Sequence, residues 1–336
     1  MTIAVDAMGG DHAPRVVVEG AVAAAVELGL ETLLVGRRRE IEAELRRLVY
    51  TGSRVGIVDA DEVVEFDEPS ITPIRKKRRA SVRIAAECVR EGRARGMFTA
   101  GHTGAAMVVA KMIMGVVDGI DRPALAAVLP GLGRRQVLLD VGANVTCRPE
   151  HYREFALMGH FYAQEALGIG RPRIGLMSVG EEEGKGTDTT REVFSLLKSS
   201  GLNFVGNVEG RDVYGGKVDV IVTDGFTGNV ILKVSESLAH LVEEALKQEI
   251  TRSLQASVGF LLSKDAFRAF KKRLDYSEYG GAPLLGVNGA CLIGHGRSNA
   301  KAVKNAIRAA DAFERHGVPE KIRDKALEFA PEPLRR

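Results

Sequence analysis

The sequence predicts an α/β protein whose sheet is parallel or mostly parallel and carries helices on both faces. Two observations lead to this fold class. Short β-rich apolar runs alternate with longer segments of helical periodicity along the 336 residues. The chain also contains 38 glycines, which suit tight connections at strand ends. A chain of this length buries enough apolar surface to fold without disulfides or metals.

The predicted elements follow one another in strand–helix order. The predicted strands cover residues 2–5, 32–35, 54–58, 96–100, 124–129, 136–140, 173–178, 218–223 and 291–294. The predicted helices cover residues 14–28, 37–48, 81–93, 103–116, 149–167, 187–198, 227–254 and 298–316. Pro14 and Pro149 stand in first turns, where the helix loses no N–H bond. No Pro/Ser-rich linker divides the chain, so we expect one catalytic domain over residues 1–336.

The composition excludes several classes of function. A net charge of +3 is small for this length and argues against a nucleic-acid-binding protein. Cys88, Cys147 and Cys291 form no CxxC pair, which suits a reducing cytoplasm and indicates neither disulfides nor zinc. Cys147 and Cys291 are nucleophile candidates only if a histidine lies near them. No apolar run reaches about 18 residues, so no membrane-spanning helix is expected.

Five loops between a predicted strand and the following helix are rich in glycine and small polar residues. They are MGGDHAP (8–14), TAGHTGAAM (99–107), SVGEEEGKGTDTT (178–190), TDGFTGNV (223–230) and IGHGRSNA (293–300). Ligands of open α/β sheets bind beyond the carboxyl ends of strands. Helix N-termini there offer free N–H donors and a partial positive charge. The five loops therefore predict a shared site for a phosphate or a carboxylate.

Two glycine-rich stretches come close to nucleotide-binding motifs without matching them. GEEEGKGT (180–187) has three residues between its glycines where a P-loop has four, and Gly186 follows Lys185 where Ser or Thr is needed. GLG (131–133) lies between two predicted strands, and Gln136 replaces the third glycine of a dinucleotide fingerprint. Lys185 either neutralises a bound phosphate or is a solvated loop lysine.

Two further segments each have two interpretations. The basic run RKKRR (75–79) is either a solvated loop or a docking patch for an acidic partner. Segment 253–274 is either a helix hairpin that packs on a second subunit or an interfacial helix on anionic lipid. Both hold if a dimeric bundle presents its tip to a membrane. The apolar residues of the segment that recur at helical spacing are Leu254, Val258, Leu261 and Leu262.

Seven motifs in this chain together resemble the bacterial phosphate acyltransferases, which act on acyl-(acyl-carrier-protein). In order they are VDAMGGDHAP, TAGHTGAAM, LLDVGANVTCRPEH, SVGEEEGKGT, VDVIVTDGFTGNVILK, YGGAPLLGVNG and HGRSNAKAVKNAI. The resemblance implies a Rossmann-like α/β/α sandwich related to isopropylmalate dehydrogenases and phosphotransacetylases, with a protruding helical hairpin. It also implies that the enzyme forms acyl-phosphate from the acyl-carrier thioester and inorganic phosphate for phospholipid biosynthesis. Because no cysteine lies in an activating motif, we expect phosphate to attack the thioester directly.

The resemblance extends to partners and location. It implies a cytoplasmic homodimer that uses acyl-carrier-protein and inorganic phosphate. The product would pass to a membrane glycerol-phosphate acyltransferase. A helical extension over residues 227–280 would serve dimerisation and peripheral membrane contact, the latter through Leu254, Val258, Leu261 and Leu262. The reaction calls for no metal or cofactor.

The implied reaction assigns roles to residues of the glycine-rich loops. Lys185 suits the charge of phosphate, and the Asn229 amide suits phosphate or the oxyanion of a tetrahedral intermediate. His12 would face the thioester or its leaving sulfur. These three are the predicted catalytic residues. The predicted substrate-binding residues are Gly10, Asp11, Gly101, His102, Thr103, Asn144, Asp224, Thr227, Gly228 and His295.

Three positions depart from the family pattern. His102 stands where the family usually has asparagine, Arg297 where serine is frequent and Thr146 where an acidic residue is common.

Three other functions stay open from the residues alone. They are a phosphotransacetylase-like enzyme that uses acyl-CoA, a metal- and NAD-dependent decarboxylating dehydrogenase, and a membrane-associated scaffold that binds acyl carriers without turnover.

Overall fold

A computed structural model describes residues 1–274 and 280–329. The strands are β1 (Thr2–Asp6), β2 (Glu31–Gly36), β3 (Val55–Asp59), β4 (Gly96–Thr99), β5 (Ala124–Pro130), β6 (Arg135–Leu139), β7 (Ile174–Met177), β8 (Phe204–Val208), β9 (Val220–Val222), β10 (Ala282–Leu285) and β11 (Ala290–Ile293). The helices are α1 (Arg15–Glu27), α2 (Arg38–Arg47), α3 (Thr72–Arg75), α4 (Ser81–Arg90), α5 (Thr103–Val109), α6 (Pro149–Phe161), α7 (Asp188–Lys198), α8 (Asp212–Gly215), α9 (Gly225–Thr251), α10 (Leu254–Leu262), α11 (Lys264–Leu274), α12 (Ala300–Arg315) and α13 (Val318–Phe329).

The strands form one sheet in the order β3-β2-β1-β4-β11-β10-β5-β6-β9-β7-β8. Neighbours from β3 to β11 pair in parallel, and so do β6, β9, β7 and β8. The three pairings between these halves are antiparallel. The two parallel halves therefore run in opposite directions. The predicted α/β class with a mostly parallel sheet is confirmed.

Helices cover both faces of the sheet, and this explains why its parallel strands are apolar almost throughout. In β1, Ile3 and Val5 pack into the layer that contains α1, α6, α12 and α13. Ala4 points to the opposite layer, with α4 and α5. All three side chains are fully buried. The alternation along one short strand thus joins the two core layers.

Several predicted bounds shift, and some elements were not predicted. The helix predicted over 103–116 leaves α geometry after Val109, continues as a π-helix (Ala110–Met114) and stops at Gly115, whose φ is +87°. The helix predicted over 149–167 likewise ends in a π-helical segment (Tyr162–Ala166). The unpredicted elements are β8, β10, α3, α8 and α13. The GLG stretch forms the turn of the β5–β6 hairpin.

The long helix α9 leaves the core after its first two turns. Only Gly225 and Gly228 are buried in it. Ser253 is the N-cap of α10, and its hydroxyl accepts a hydrogen bond from the Ala256 N–H at 3.1 Å. The helices α10 and α11 form a hairpin that matches the predicted segment. Residues 275–279 of the predicted extension, residues 330–336 and the side chain of Leu254 lie outside the described part of the chain.

The basic run 75–79 is partly paired within its own loop. The Lys77 Nζ lies 2.6 Å from a carboxylate oxygen of Glu68. The Arg79 Nε lies 2.6 Å from Asp61. These pairs tie the run to the segment before it, which favours the loop interpretation for two of its five cations. Across the described ranges, none of the helices is both long enough and apolar enough to cross a bilayer.

Candidate functional site

The loops after β1 and β4 are held together by the carboxylate of Asp6. This side chain is 3% exposed and accepts hydrogen bonds from the Thr99 hydroxyl at 2.7 Å and the Met8 N–H at 3.2 Å. Burial raises the pKa of Asp6, and these donors oppose the shift. The Thr99 oxygen in turn accepts from the Gly101 N–H. A Cβ at Gly9 would lie 2.7 Å from the Asp6 carboxylate, so only glycine fits there.

The loop after β11 contacts the loop after β1. The Asp11 N–H donates to the Gly296 carbonyl at 2.9 Å, and Gly10 makes this approach with a φ of +111°. Asp11 and His12 are exposed, so their side chains are accessible beside the loop. His295 is half-buried, and its Nδ1 accepts from the Arg297 N–H at 3.4 Å. Burial, reinforced by the positive charge of Lys233, lowers the pKa of His295, so this imidazole is neutral at pH 7.

His102 is the N-cap of α5, and both of its ring nitrogens are occupied. The Nδ1 accepts from the Ala105 N–H at 3.2 Å, which requires that Nδ1 carry no proton. The Nε2 lies 2.9 Å from the Glu68 carbonyl, which can only accept, so Nε2 carries the proton. Asparagine is a preferred N-cap residue, so the replacement by His102 preserves the cap. His102 thereby caps the first turn of α5. Thr103, the next residue, is exposed.

The loop after β6 is organised by a second buried carboxylate. Asp140 is fully buried and accepts N–H donors from Leu125, Gly142, Ala143 and Asn144 at 2.6–3.2 Å. Burial raises the pKa of Asp140, and the donors oppose that shift. The Asn144 amide donates to the Pro123 carbonyl at 2.8 Å and to Asp140 at 3.0 Å. Both amide hydrogens of Asn144 are therefore committed inside the loop.

The start of α9 packs directly on this loop. Asp224 is the N-cap, and its carboxylate accepts from the Thr227 N–H at 2.8 Å and the Thr227 hydroxyl at 2.9 Å. The Asp224 carboxylate therefore accepts both polar hydrogens of Thr227 at this helix start. A Cβ at Gly228 would lie 1.9 Å from the Asp140 carbonyl oxygen, so glycine permits the close approach of α9. Asn229, the next residue, is exposed.

Cys147 lies beside this helix start. Its Sγ is 3.3 Å from the Asn144 carbonyl. Burial, together with the charge of Asp140, raises the pKa of Cys147 to about 11. The thiol therefore stays protonated at neutral pH and is a poor nucleophile.

Lys185 follows β7, the parallel neighbour of β9. It is exposed, and a Cβ at Gly180 would lie 3.0 Å from its Cγ, so the side chain folds back over its own loop. Because parallel neighbours end at the same edge of a sheet, Lys185 shares an edge with Asn144, Asp224 and Asn229. The residues after β1, β4 and β11 belong to the half that runs the other way.

The first turns of α9 connect the two sets of loops. Lys233 lies one turn past Asn229, about 6 Å along the helix axis. Its charge and that of Glu236 act on His295. Lys233 and Glu236 also form an ion pair at 3.0 Å. One rigid helix therefore runs from the Asp140 loop to the His295 loop.

A short sequence repeat indicates that the loops after β4 and β9 have similar structures. TAGHTG (99–104) after β4 corresponds to TDGFTG (223–228) after β9. Each strand runs parallel to one that leads into a buried aspartate, Asp6 or Asp140. Neither Asp140 nor this repeat was predicted to mark a functional site, although both are visible in the sequence.

Comparisons with known proteins identify the family. A family model described as "Fatty acid synthesis protein" matches residues 1–321. The chain belongs to this family. Among family relatives, the phosphate acyltransferase of Geotalea uraniireducens is 49% identical over 98% of this chain and 96% of its own length. That of Acidobacterium capsulatum is 50% identical over 95% of each. The resemblance to phosphate acyltransferases is confirmed.

Several solved structures have a fold similar to that of this chain. A phosphotransacetylase from Streptococcus pyogenes matches with a TM-score of 0.64 at 19% identity, over 94% of each chain. A branched-chain phosphotransacylase from Enterococcus faecalis matches with a TM-score of 0.55 at 14% identity, over 93% of this chain and 98% of that one. At these identities the likeness concerns the fold alone, and it confirms the predicted α/β fold, which phosphotransacetylases share.

The cap assignment of His102 predicts different results for two substitutions. His102→Ala should lower stability by about 1 kcal/mol, because an N-cap is lost. That corresponds to roughly 2 °C in Tm for a chain of this size. His102→Asn should stay within a few tenths of a kcal/mol of wild type and keep its activity, because asparagine restores the cap. Calorimetry and turnover measure both. Loss of turnover in His102→Asn with an unchanged Tm would instead make the imidazole catalytic.

Proposed function

We propose that this protein transfers an acyl group from acyl-(acyl-carrier-protein) to inorganic phosphate. The observation that carries the proposal is the near-full-length identity of 49–50% to proteins named phosphate acyltransferase. A phosphate oxygen attacks the thioester carbon, and the tetrahedral intermediate then loses the carrier thiolate as the C–S bond breaks. The products are acyl-phosphate and the free carrier thiol, which takes up a proton.

Direct attack fits the groups at the candidate site. Much of inorganic phosphate is a dianion at neutral pH, so the enzyme needs to position it and to stabilise the oxyanion rather than to remove a proton. A covalent acyl-cysteine route is disfavoured, because the raised pKa of Cys147 keeps its thiol protonated.

We assign the catalytic roles as follows. Lys185 offsets the charge of phosphate, and the exposed Asn229 amide donates to phosphate or to the oxyanion. His12, also exposed, faces the leaving sulfur. Gly10, Asp11 and His295 line the substrate-binding surface on the β1–β4–β11 side, where neutral His295 can donate a hydrogen bond but carries no charge. Gly101 is buried and shapes its loop through the N–H bond to Thr99. On the β6–β9 side the substrate-binding set is Asn144, Asp224, Thr227 and Gly228, which shape the loop and hold the first turn of α9 that carries Asn229.

We also infer a cytoplasmic homodimer with peripheral membrane contact. A stripe of exposed apolar side chains along α9 supports the second copy: Val230, Val234, Leu238, Leu241 and Val242. The hairpin tip exposes Val258, Leu261 and Leu262, which suits insertion at a lipid interface. A tip on the membrane would deliver acyl-phosphate to a glycerol-phosphate acyltransferase there.

Phosphate dependence tests the reaction itself. Purified protein should release free thiol from acyl-(acyl-carrier-protein) only when inorganic phosphate is present, with one acyl-phosphate formed per thiol. The measurement is a thiol-reactive dye assay, run in parallel with acyl-CoA as donor. Release without phosphate would contradict the proposal, and faster turnover of acyl-CoA would favour a phosphotransacetylase-like enzyme.

Substitutions at Asn229 and Lys185 test the assigned roles. Asn229→Ala should lower kcat by about 10²–10³, the usual loss for an oxyanion donor. Lys185→Ala should raise the KM for phosphate at least about tenfold, because one positive charge is removed from the anion site. Lys198→Ala is the matched control, since Lys198 is an exposed lysine that pairs with Glu183. A KM for Lys185→Ala within twofold of wild type would exclude Lys185 from the site.

The membrane contact is tested at Leu262, which is 84% exposed. Leu262→Glu should lower binding to anionic vesicles at least tenfold, since burial of a leucine contributes about 2 kcal/mol. Val26→Glu is the control, because Val26 is 69% exposed on α1, away from the tip. Vesicle flotation measures both variants. Equal binding by Leu262→Glu and wild type would leave dimer packing as the role of the hairpin.

A further inference from the structure

A cavity of about 750 Å³ lies between α9 and the α10–α11 hairpin. This volume is within the range of sites that enclose small molecules, roughly 300–1,000 Å³. The residues of α9 that line it recur every three or four positions from Glu236 to Thr251, so they form one face of the helix. The two hairpin helices close the opposite side.

The inner part of the cavity is apolar. Leu246 and Ile250 contribute from α9, and Phe260 and Phe267 contribute from the hairpin. The two phenylalanine rings pack against each other with centroids 4.9 Å apart. Lys264 and Arg268 also line the space; long basic side chains of this kind cover apolar surface with their stems while the charges reach water. Such a lining suits a flexible hydrocarbon rather than a polar metabolite.

One end of the cavity opens at the candidate site. His295 and Arg297, both in the loop after β11, belong to its lining. His295 is also the residue on which the charges of Lys233 and Asp11 act. The cavity is therefore continuous with the loops where acyl transfer is proposed, and Arg297 places a positive charge at that end.

The length of the cavity matches a long acyl chain. Glu236 and Thr251 are about 22 Å apart along α9, from a rise of about 1.5 Å per residue. An extended alkyl chain advances roughly 1.3 Å per carbon, given sp³ bond lengths and angles. The lined face of α9 therefore spans about sixteen carbons.

The second copy of this chain is disfavoured as the occupant, because it has a separate surface on α9. At 100° per residue, the cavity-lining Glu243 lies about 180° from Val234 around α9, and the apolar Leu246 and Ile250 lie about 120° and 160° from Val234. The outer stripe suits a partner helix, whereas the inner face is enclosed by the hairpin of the same chain.

We propose that this cavity binds the alkyl chain of the acyl substrate, with the thioester end at His295 and Arg297 and the methyl end near Phe267. This inference rests on the proposed acyl-transfer function and adds where the alkyl chain of the substrate binds. Burial of each added methylene should tighten binding roughly fourfold, so affinity should rise with chain length until the cavity is filled.

A fluorescence experiment tests binding without turnover. The chain contains no tryptophan, so Phe267→Trp creates one reporter inside the cavity. In the absence of phosphate and vesicles, a sixteen-carbon acyl-pantetheine brominated near its methyl end should quench this tryptophan. The same thioester brominated beside the carbonyl should quench it weakly. Absence of quenching by either probe, or stronger quenching by the carbonyl-side probe, would overturn the proposal.

A chain-length experiment gives an independent result. Leu246, about 15 Å from Glu236 along α9, lies beyond the reach of a four-carbon chain. Leu246→Trp fills the far part of the cavity and should lower kcat/KM for a sixteen-carbon donor at least tenfold, with less than a twofold change for a four-carbon donor. Ala269→Trp is the control, because Ala269 is exposed on α11 and does not line the cavity. Equal losses for both donors with Leu246→Trp would overturn the proposal. Phosphate-dependent turnover of the four-carbon donor by wild type would keep the proposed function even then.

Discussion

The buried carboxylate of Asp140 fixes the part of the molecule on which the candidate site depends. A buried carboxyl group that lacks hydrogen bonds costs several kcal/mol, so the chain around it must supply donors. Leu125 and three consecutive residues of the 142–144 loop do so through their N–H groups. The donors tie the loop after β6 to the neighbouring strand β5. Asp6 ties the loop after β1 to β4 in the same manner.

The position of α9 follows from this constraint. Gly228 lies so close to the Asp140 carbonyl that a side chain there would displace the helix. Asp224 caps the helix start and holds its direction. Because α9 is a single rigid element, its fixed start also determines where Lys233 meets His295 and where the hairpin projects. A loop conformation at one edge of the sheet thereby sets the geometry of groups about 10–15 Å away along the helix.

The sequence predicted local features better than distant pairings. The strands β1, β4, β6 and β9 were predicted within a few residues, because they are buried apolar runs followed by glycine-rich loops. The reversal of strand direction was not predictable, because it depends on β10, a four-residue strand that contains Pro283 and pairs with β5, far away in sequence. The cap role of His102 depends in the same way on the Glu68 carbonyl, 34 residues earlier. Side-chain burial raises the pKa of Cys147, and that burial has no signature in its local sequence.

The helix α9 explains why periodicity alone left two interpretations of the extension. An amphipathic helix that packs on one surface shows one apolar stripe. The helix α9 instead has apolar side chains on two faces centred about 120° apart, Val234 and Leu238 outside and Leu246 and Ile250 inside, with only its first turns buried in the core. Apolar surface that faces water costs free energy, so each face needs its own cover. The proposed second copy on the outer face and the proposed acyl chain on the inner face would cover both, and they would leave the hairpin tip available for lipid.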